Sequence, residues 1–213
     1  MPYFVTFEGL DGSGKTTHLR RVAERLAERG VLVRVTHEPG GTPLGEALRR
    51  VFLDHRWGAM DGRVELLLVF ASRRQHLAEV IDPALAAGEH VLCDRFTDST
   101  RAYQGAGRGV ERLLVDQVDR VATGGRSPDR TLLFDLPAEL ARERGSGRRV
   151  KQAEADRLDA EELAFYRRVR EGFLGLARAE PERFRVVDSA GPKEETEAQV
   201  ARALADLFPE LAG

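Results

Sequence analysis

Apolar positions along the chain follow two different spacings. Short apolar runs at residues 3–7 (YFVTF), 31–37 (VLVRVTH), 90–94 (HVLCD), 131–136 (TLLFDL) and 184–188 (FRVVD) read as β-strands. The near-continuous ones suit strands buried on both faces. Between them, apolar residues recur every three or four positions. Leu19, Val22, Ala23 and Leu26 set that spacing within 15–29, and helices are also predicted over 43–53, 61–80, 110–122, 137–144, 158–178 and 193–207. The alternation predicts an α/β fold of three layers, a five-stranded parallel sheet flanked by helices. No repeat or low-complexity linker interrupts it, so residues 1–213 read as a single domain. One stretch breaks the pattern. Residues 142–156 (RERGSGRRVKQAEAD) place a Gly-Ser-Gly of low helix propensity among basic residues, which predicts a mobile surface loop.

Composition and charge narrow the function classes. A net charge of −2 gives no global basic field of the kind a nucleic acid partner favours. Among the 33 basic residues only Lys15, Lys151 and Lys193 are lysines. Arginine matches phosphate oxygens two at a time, although genomic composition bias is the plainer source of the excess. The one cysteine, Cys93, cannot form an internal disulfide, which suits a reducing cytoplasm. No apolar run reaches the roughly 18–20 residues of a membrane span, and no charged leader precedes the first strand. A cytoplasmic protein with no membrane partner is expected.

The chemistry starts at residues 9–17. Gly9-Leu10-Asp11-Gly12-Ser13-Gly14-Lys15-Thr16-Thr17 carries G-x-x-x-x-G-K-[ST] between a strand and a helix, the context in which that pattern cradles nucleotide phosphates. Its glycines turn backbone N–H groups toward phosphate oxygens, and the helix N-terminus adds partial positive charge. Lys15 is expected to bridge the β- and γ-phosphates and the Thr16 hydroxyl to ligate Mg²⁺. Asp94 ends a strand, where an acid can share that Mg²⁺, and Arg95 follows it. Glu38-Pro39 ends another strand. Parallel sheets bind ligands at the carboxyl ends of their strands, so Glu8, the phosphate loop, Glu38 and Asp94 are expected on one edge. A guanine-reading N-K-x-D is absent, for the chain has no asparagine, and this weakens the reading as a nucleotide switch.

With EPGGT (38–42), FASRRQHL (70–77), DRFTDSTRAYQG (94–105) and DRL (156–158), the phosphate loop resembles bacterial thymidylate kinase, in order over nearly the whole chain. The resemblance implies a P-loop NTPase fold with a mobile lid at about 142–156. It implies ATP and Mg²⁺-dependent phosphorylation of dTMP to dTDP, and a homodimer. In its terms Phe70 stacks on thymine and Arg74 hydrogen-bonds the base edge. Ser99, Thr100 and Gln104 line the base pocket, and Tyr103 lies beside the sugar. Glu38 and Pro39 border the dTMP site, Arg95 holds the acceptor phosphate, and Asp11 sits near the transferring group. Taken alone, Phe70 reads as a core aromatic and Arg74 as a solvated charge.

Three positions depart from the family pattern. Phe96 stands where Tyr or His is usual, EPGG lacks a neighbouring arginine, and the phosphate loop lacks one at Gly12 or Ser13. Members of that last kind supply arginine from the lid, which here offers Arg142, Arg144, Arg148, Arg149 and, beyond it, Arg157. Arg148 and Arg149 are the expected catalytic pair, because they follow Gly145-Ser146-Gly147. The turn Asp188–Pro192 resembles the adenine-contacting loop. The rival functions are a deoxynucleoside kinase, with Glu38 as its base, and a non-catalytic nucleotide-dependent switch.

Overall fold

A computed structural model describes residues 1–144 and 157–212 of the chain. The sheet contains β1 (Phe4–Gly9), β2 (Val33–His37), β3 (His90–Asp94), β4 (Arg130–Asp135) and β5 (Phe184–Asp188). Their order is β2-β3-β1-β4-β5, with every pairing parallel. The sequence pattern explains the order. β1 is buried along its whole length and lies centrally, whereas β2 and β5 have exposed positions and form the edges.

Because side chains alternate across a strand, β1 feeds both faces of the sheet. Val5 and Phe7 join Leu19, Val22 and Leu26 of α1 (Lys15–Ala27) and Val200 and Leu204 of α9 (Lys193–Leu204). Phe4 packs on the opposite face with Val91, Cys93, Phe96, Leu77 and Ile81. Each such buried Leu or Phe contributes about 1.5–3 kcal/mol of transfer free energy. The remaining helices are α2 (Pro43–Leu53), α3 (Gly62–His76), α4 (Asp82–Ala86), α5 (Thr97–Thr100), α6 (Arg112–Thr123), α7 (described over 138–144) and α8 (Leu163–Ala179). Thr42 caps α2 by accepting from the Gly45 N–H at 2.9 Å, with Pro43 in the first turn, where its missing N–H costs nothing.

The helix expected over 61–80 is interrupted. After α3 the chain makes a wide turn over Leu77–Ile81, and the Asp82 N–H donates to Leu77 O, five residues back, before α4 resumes. Pro83 has no N–H to continue the regular ladder. A second segment, α5 with the wide turn Arg101–Gly107, is helical although its spacing gave no helix. The carboxyl ends of the strands gather the functional groups, since Phe7 and His37 both register with Asp94, and Asp135 with Asp188.

Candidate active site

The phosphate loop runs from β1 into α1. At Gly9 φ is +139°, and a Cβ there would stand 2.5 Å from the Phe134 carbonyl oxygen on β4, so no larger residue fits. Gly14 turns the chain into α1 at φ +86°. Leu10 anchors the loop in the core, Gly12 is partly exposed, Ser13 is buried, and Thr17 is exposed to solvent. Lys15 is buried, its Nζ 3.2 Å from Asp11 Oδ1 and 4.0 Å from Asp94 Oδ1. The Thr16 hydroxyl donates to Asp94 Oδ2. Asp94 Oδ1 and Ser13 Oγ are buried without a hydrogen-bond partner. Buried polar atoms are seldom left so, and these two belong to the loop and to the strand end beside it.

A cavity opens beside the loop. Arg95 enters it from the end of β3 in the left-handed region, at φ +73°. Its guanidinium donates to Asp11 Oδ1 at 2.7 Å, Ser99 Oγ at 2.9 Å and the Tyr103 hydroxyl at 3.4 Å, and lies 5.1 Å from the Tyr103 ring centre. Burial would raise the Asp11 pKa, but Arg95 and Lys15 outweigh it and hold the carboxyl well below its usual range. Burial pushes the Tyr103 hydroxyl upward, so it stays protonated.

Of the residues expected at the acceptor, Asp11, Glu38, Pro39, Arg95, Ser99, Thr100, Tyr103 and Gln104 all line this cavity. The Glu38–Pro39 peptide is cis. Glu38 is fixed from both sides, accepting from Arg73 Nε at 2.6 Å and His76 Nδ1 at 2.9 Å, while Thr36 Oγ1 lies 2.5 Å from His76 Nε2. Gln104 donates to Glu65, which also takes Arg108 and Arg157.

Phe70 and Arg74 need correction, because neither reaches the cavity. Val69 and Arg73 line it instead. Val69 and Arg73 share the i, i+4 spacing of the expected pair but lie one residue earlier, about 100° around the helix. Phe70 packs with Leu66, Val115 and Ala122, and Arg74 Nη1 donates to the Ala122 carbonyl at 3.3 Å. Arg73 is buried, bonds Thr100 Oγ1 at 3.1 Å, and leaves Nη1 without a partner. Phe70 backs this site from behind, its ring centre 4.6 Å from the Arg73 guanidinium, with Phe96 at 5.0 Å.

Sequence reasoning also missed Arg49, Phe52 and Leu53 of α2, which line the cavity with Phe96 and Leu158. Their i, i+3, i+4 spacing was the available signal. Arg49 Nη1 donates to the Pro39 carbonyl at 3.0 Å. Arg148 and Arg149 lie outside the described residues. Of the other lid arginines, Arg142 is exposed, and Arg144 donates to the Ser189 and Ala190 carbonyls at 2.8 and 3.1 Å. Arg157 is buried against Glu65 at 2.7 Å.

The chain is similar to known proteins. The family model for thymidylate kinase matches residues 7–200. The chain is 48% identical over 204 residues to the thymidylate kinase of Desulfosudis oleivorans, covering 94% of this chain and 95% of that one. It is 49% identical over 209 residues to that of Paraburkholderia phytofirmans, with 96% of each covered. A crystal structure of thymidylate kinase from Ehrlichia chaffeensis superposes with a TM-score of 0.76 at 36% identity, covering 95% of this chain and 98% of that chain.

Proposed function

The chain belongs to the thymidylate kinase family, and from that premise we propose that it transfers the γ-phosphoryl group of ATP to dTMP, giving dTDP and ADP. One observation carries the reading. The phosphate-loop cation and the acceptor-side cation, Lys15 and Arg95, converge on the same oxygen, Asp11 Oδ1, at 3.2 and 2.7 Å. Phosphate groups bound by those cations would meet end to end.

The chemistry asks for cations and needs no base. A phosphate monoester loses its second proton near pH 6 and arrives mostly as a dianion, so the obstacle is repulsion between two anions. Lys15 would neutralise the donor chain, and Arg95 would hold the acceptor phosphate in line. Asp11, half exposed, yields both cations when phosphates compete for them. Thr16 and Asp94 would hold Mg²⁺, which the buried, unpartnered Asp94 Oδ1 suits. Bound there, Mg²⁺ would supply positive charge that offsets the negative charge of the phosphates.

On the base side, the unpartnered Arg73 Nη1 and the amide of Gln104 are the groups we assign to the thymine edge, with Ser99 and Thr100 beside them. Val69 and Phe52 give apolar walls, and Tyr103 borders the sugar. The deoxynucleoside kinase reading fares worse, since Glu38 would have to act as base while Arg73 and His76 engage both its oxygens. An ATP-coupled assay across dTMP, dUMP, dCMP, dGMP, AMP and thymidine tests the function. ADP release is expected to depend on dTMP, with thymidine inactive. Faster turnover of thymidine, or nucleotide-independent ADP release alone, would overturn it.

Among the described residues no helix is long and apolar enough to cross a membrane, and we assign the enzyme to the cytoplasm, where the lone Cys93 stays reduced. We also propose a homodimer through α3 and α6, where Leu67 is 59% and Val121 84% exposed on neighbouring helices. Sedimentation at micromolar concentration should give a dimer for the native chain and a monomer for Leu67→Glu. A native monomer would refute the interface.

A further inference from the structure

Glu8 is the penultimate residue of β1, fully buried, and absent from the cavity lining. An unpaired buried carboxylate is costly, so its neighbours must account for a carboxyl group kept there. Oε1 accepts from the Phe96 N–H at 2.7 Å, and Ser99 Oγ lies 2.5 Å from Oε2. Ser99 Oγ in turn accepts from Arg95 Nη1 at 2.9 Å. Both ends of one carboxyl group therefore reach Arg95, one through the backbone immediately after it and one through its guanidinium.

The backbone at Arg95 needs such support. It is the non-glycine residue with positive φ among the described residues. A left-handed conformation of this kind is strained and persists only where neighbours over-determine it. The Arg95 N–H donates to Phe7 O at 3.0 Å, and the Cys93 thiol donates to Arg95 O at 3.0 Å. The Glu8 bond to the next N–H completes the clamp.

We propose that Glu8 is the positioning residue of the acceptor arm: it fixes the Arg95–Phe96 turn and, through the Ser99 hydroxyl, aims the Arg95 guanidinium at the acceptor phosphate. This rests on the reading of Arg95 as the acceptor-phosphate residue. It separates Glu8 from the phosphate loop that follows it, because its hydrogen bonds go to Phe96 and Ser99. Burial, and next the nearby Asp98, raise the Glu8 pKa to about 8, against the opposing pull of Ser99, Arg95 and the Phe96 N–H. The neutral acid keeps the link, since it can donate to Ser99 Oγ while Oε1 still accepts from Phe96. Glutamine reproduces that pattern with its amide, whereas alanine abolishes it.

Steady-state kinetics of Glu8→Ala, Glu8→Gln and Arg95→Ala, with ATP and dTMP varied separately, test the proposal. Glu8→Ala is expected to raise KM for dTMP at least about tenfold and to change KM for ATP less than twofold. Glu8→Gln is expected within about threefold of the native enzyme on both. A folded Glu8→Ala that leaves dTMP kinetics intact while Arg95→Ala does not would overturn the role of Glu8 alone. If Arg95→Ala also leaves dTMP kinetics intact, the acceptor reading itself falls. Should Glu8→Ala not fold, Glu8→Asp keeps the carboxyl but loses one methylene of reach. It is held to the same split, and equal effects on the two substrates would refute positioning.

Discussion

Arg95→Ala should lower kcat/KM for dTMP by about 10³-fold, equivalent to about 4 kcal/mol of transition-state stabilisation, with little change in KM for ATP. The size follows from where the side chain sits. It reaches the cavity mostly buried, at 14% side-chain exposure, so its charge acts with little screening by water. It is also held in place by Asp11, Ser99 and Tyr103 before substrate arrives, which removes the cost of organising it during reaction. Its loss would leave the dTMP dianion facing the donor phosphates without its principal counter-charge. Of the other two arginines lining the cavity, Arg73 is engaged by Glu38 and Arg49 is spent partly on the Pro39 carbonyl, so both are weaker substitutes. Arg95→Lys restores charge without the planar fork and should recover only part of the loss. Initial rates with each substrate varied in turn check this, and unchanged dTMP parameters in Arg95→Ala would remove the residue from the acceptor site.

The residues legible in the sequence share a physical feature: backbone geometry alone dictates their position. The phosphate loop must follow a strand and open a helix, and Asp94 and Arg95 must sit at a strand's carboxyl end beside it. A parallel sheet then brings them together whatever the helices do. Helix phase is another matter. Residues 66–70 of α3 read Leu-Leu-Leu-Val-Phe. Yet Leu66 and Phe70 are buried, Leu67 is exposed, and Val69 faces the cavity. With apolar side chains on every side, periodicity carries no information about which face meets α6 and which meets the cavity. Only packing decides, and it turned Val69 and Arg73 inward. The helical segment 97–107 was hidden for the opposite reason. Thr97, Ser99, Thr100, Gly105 and Gly107 have poor helix propensity. Long-range contacts hold it, notably buried Asp98 with Arg183 at 2.6 Å and Tyr103 against Phe165 and Phe173 of α8. Pro83 was visible in the sequence, but the apolar spacing ran on to residue 80, through the break over Leu77–Ile81.

The one-residue phase of α3 makes a prediction with opposite outcomes at adjacent arginines. Arg73→Ala should destabilise the fold by about 3–5 kcal/mol, because it removes one partner of a buried ion pair and leaves Glu38 uncompensated. Both side chains are 2% exposed, so water cannot replace the lost guanidinium, and His76 alone remains on the carboxylate. The gap left between the Phe70 and Phe96 rings adds a packing loss of the same sign. Arg74→Ala loses a 3.3 Å bond to a carbonyl at the end of α6 and should cost less than about 1.5 kcal/mol. Denaturant unfolding of the two variants measures the difference directly. Kinetics supply the functional half: where Arg73→Ala remains folded, KM for dTMP rises, while Arg74→Ala keeps native dTMP parameters. The reverse ranking, with Arg74→Ala the damaging change on both measures, would mean that α3 presents Phe70 and Arg74 to the nucleotide after all.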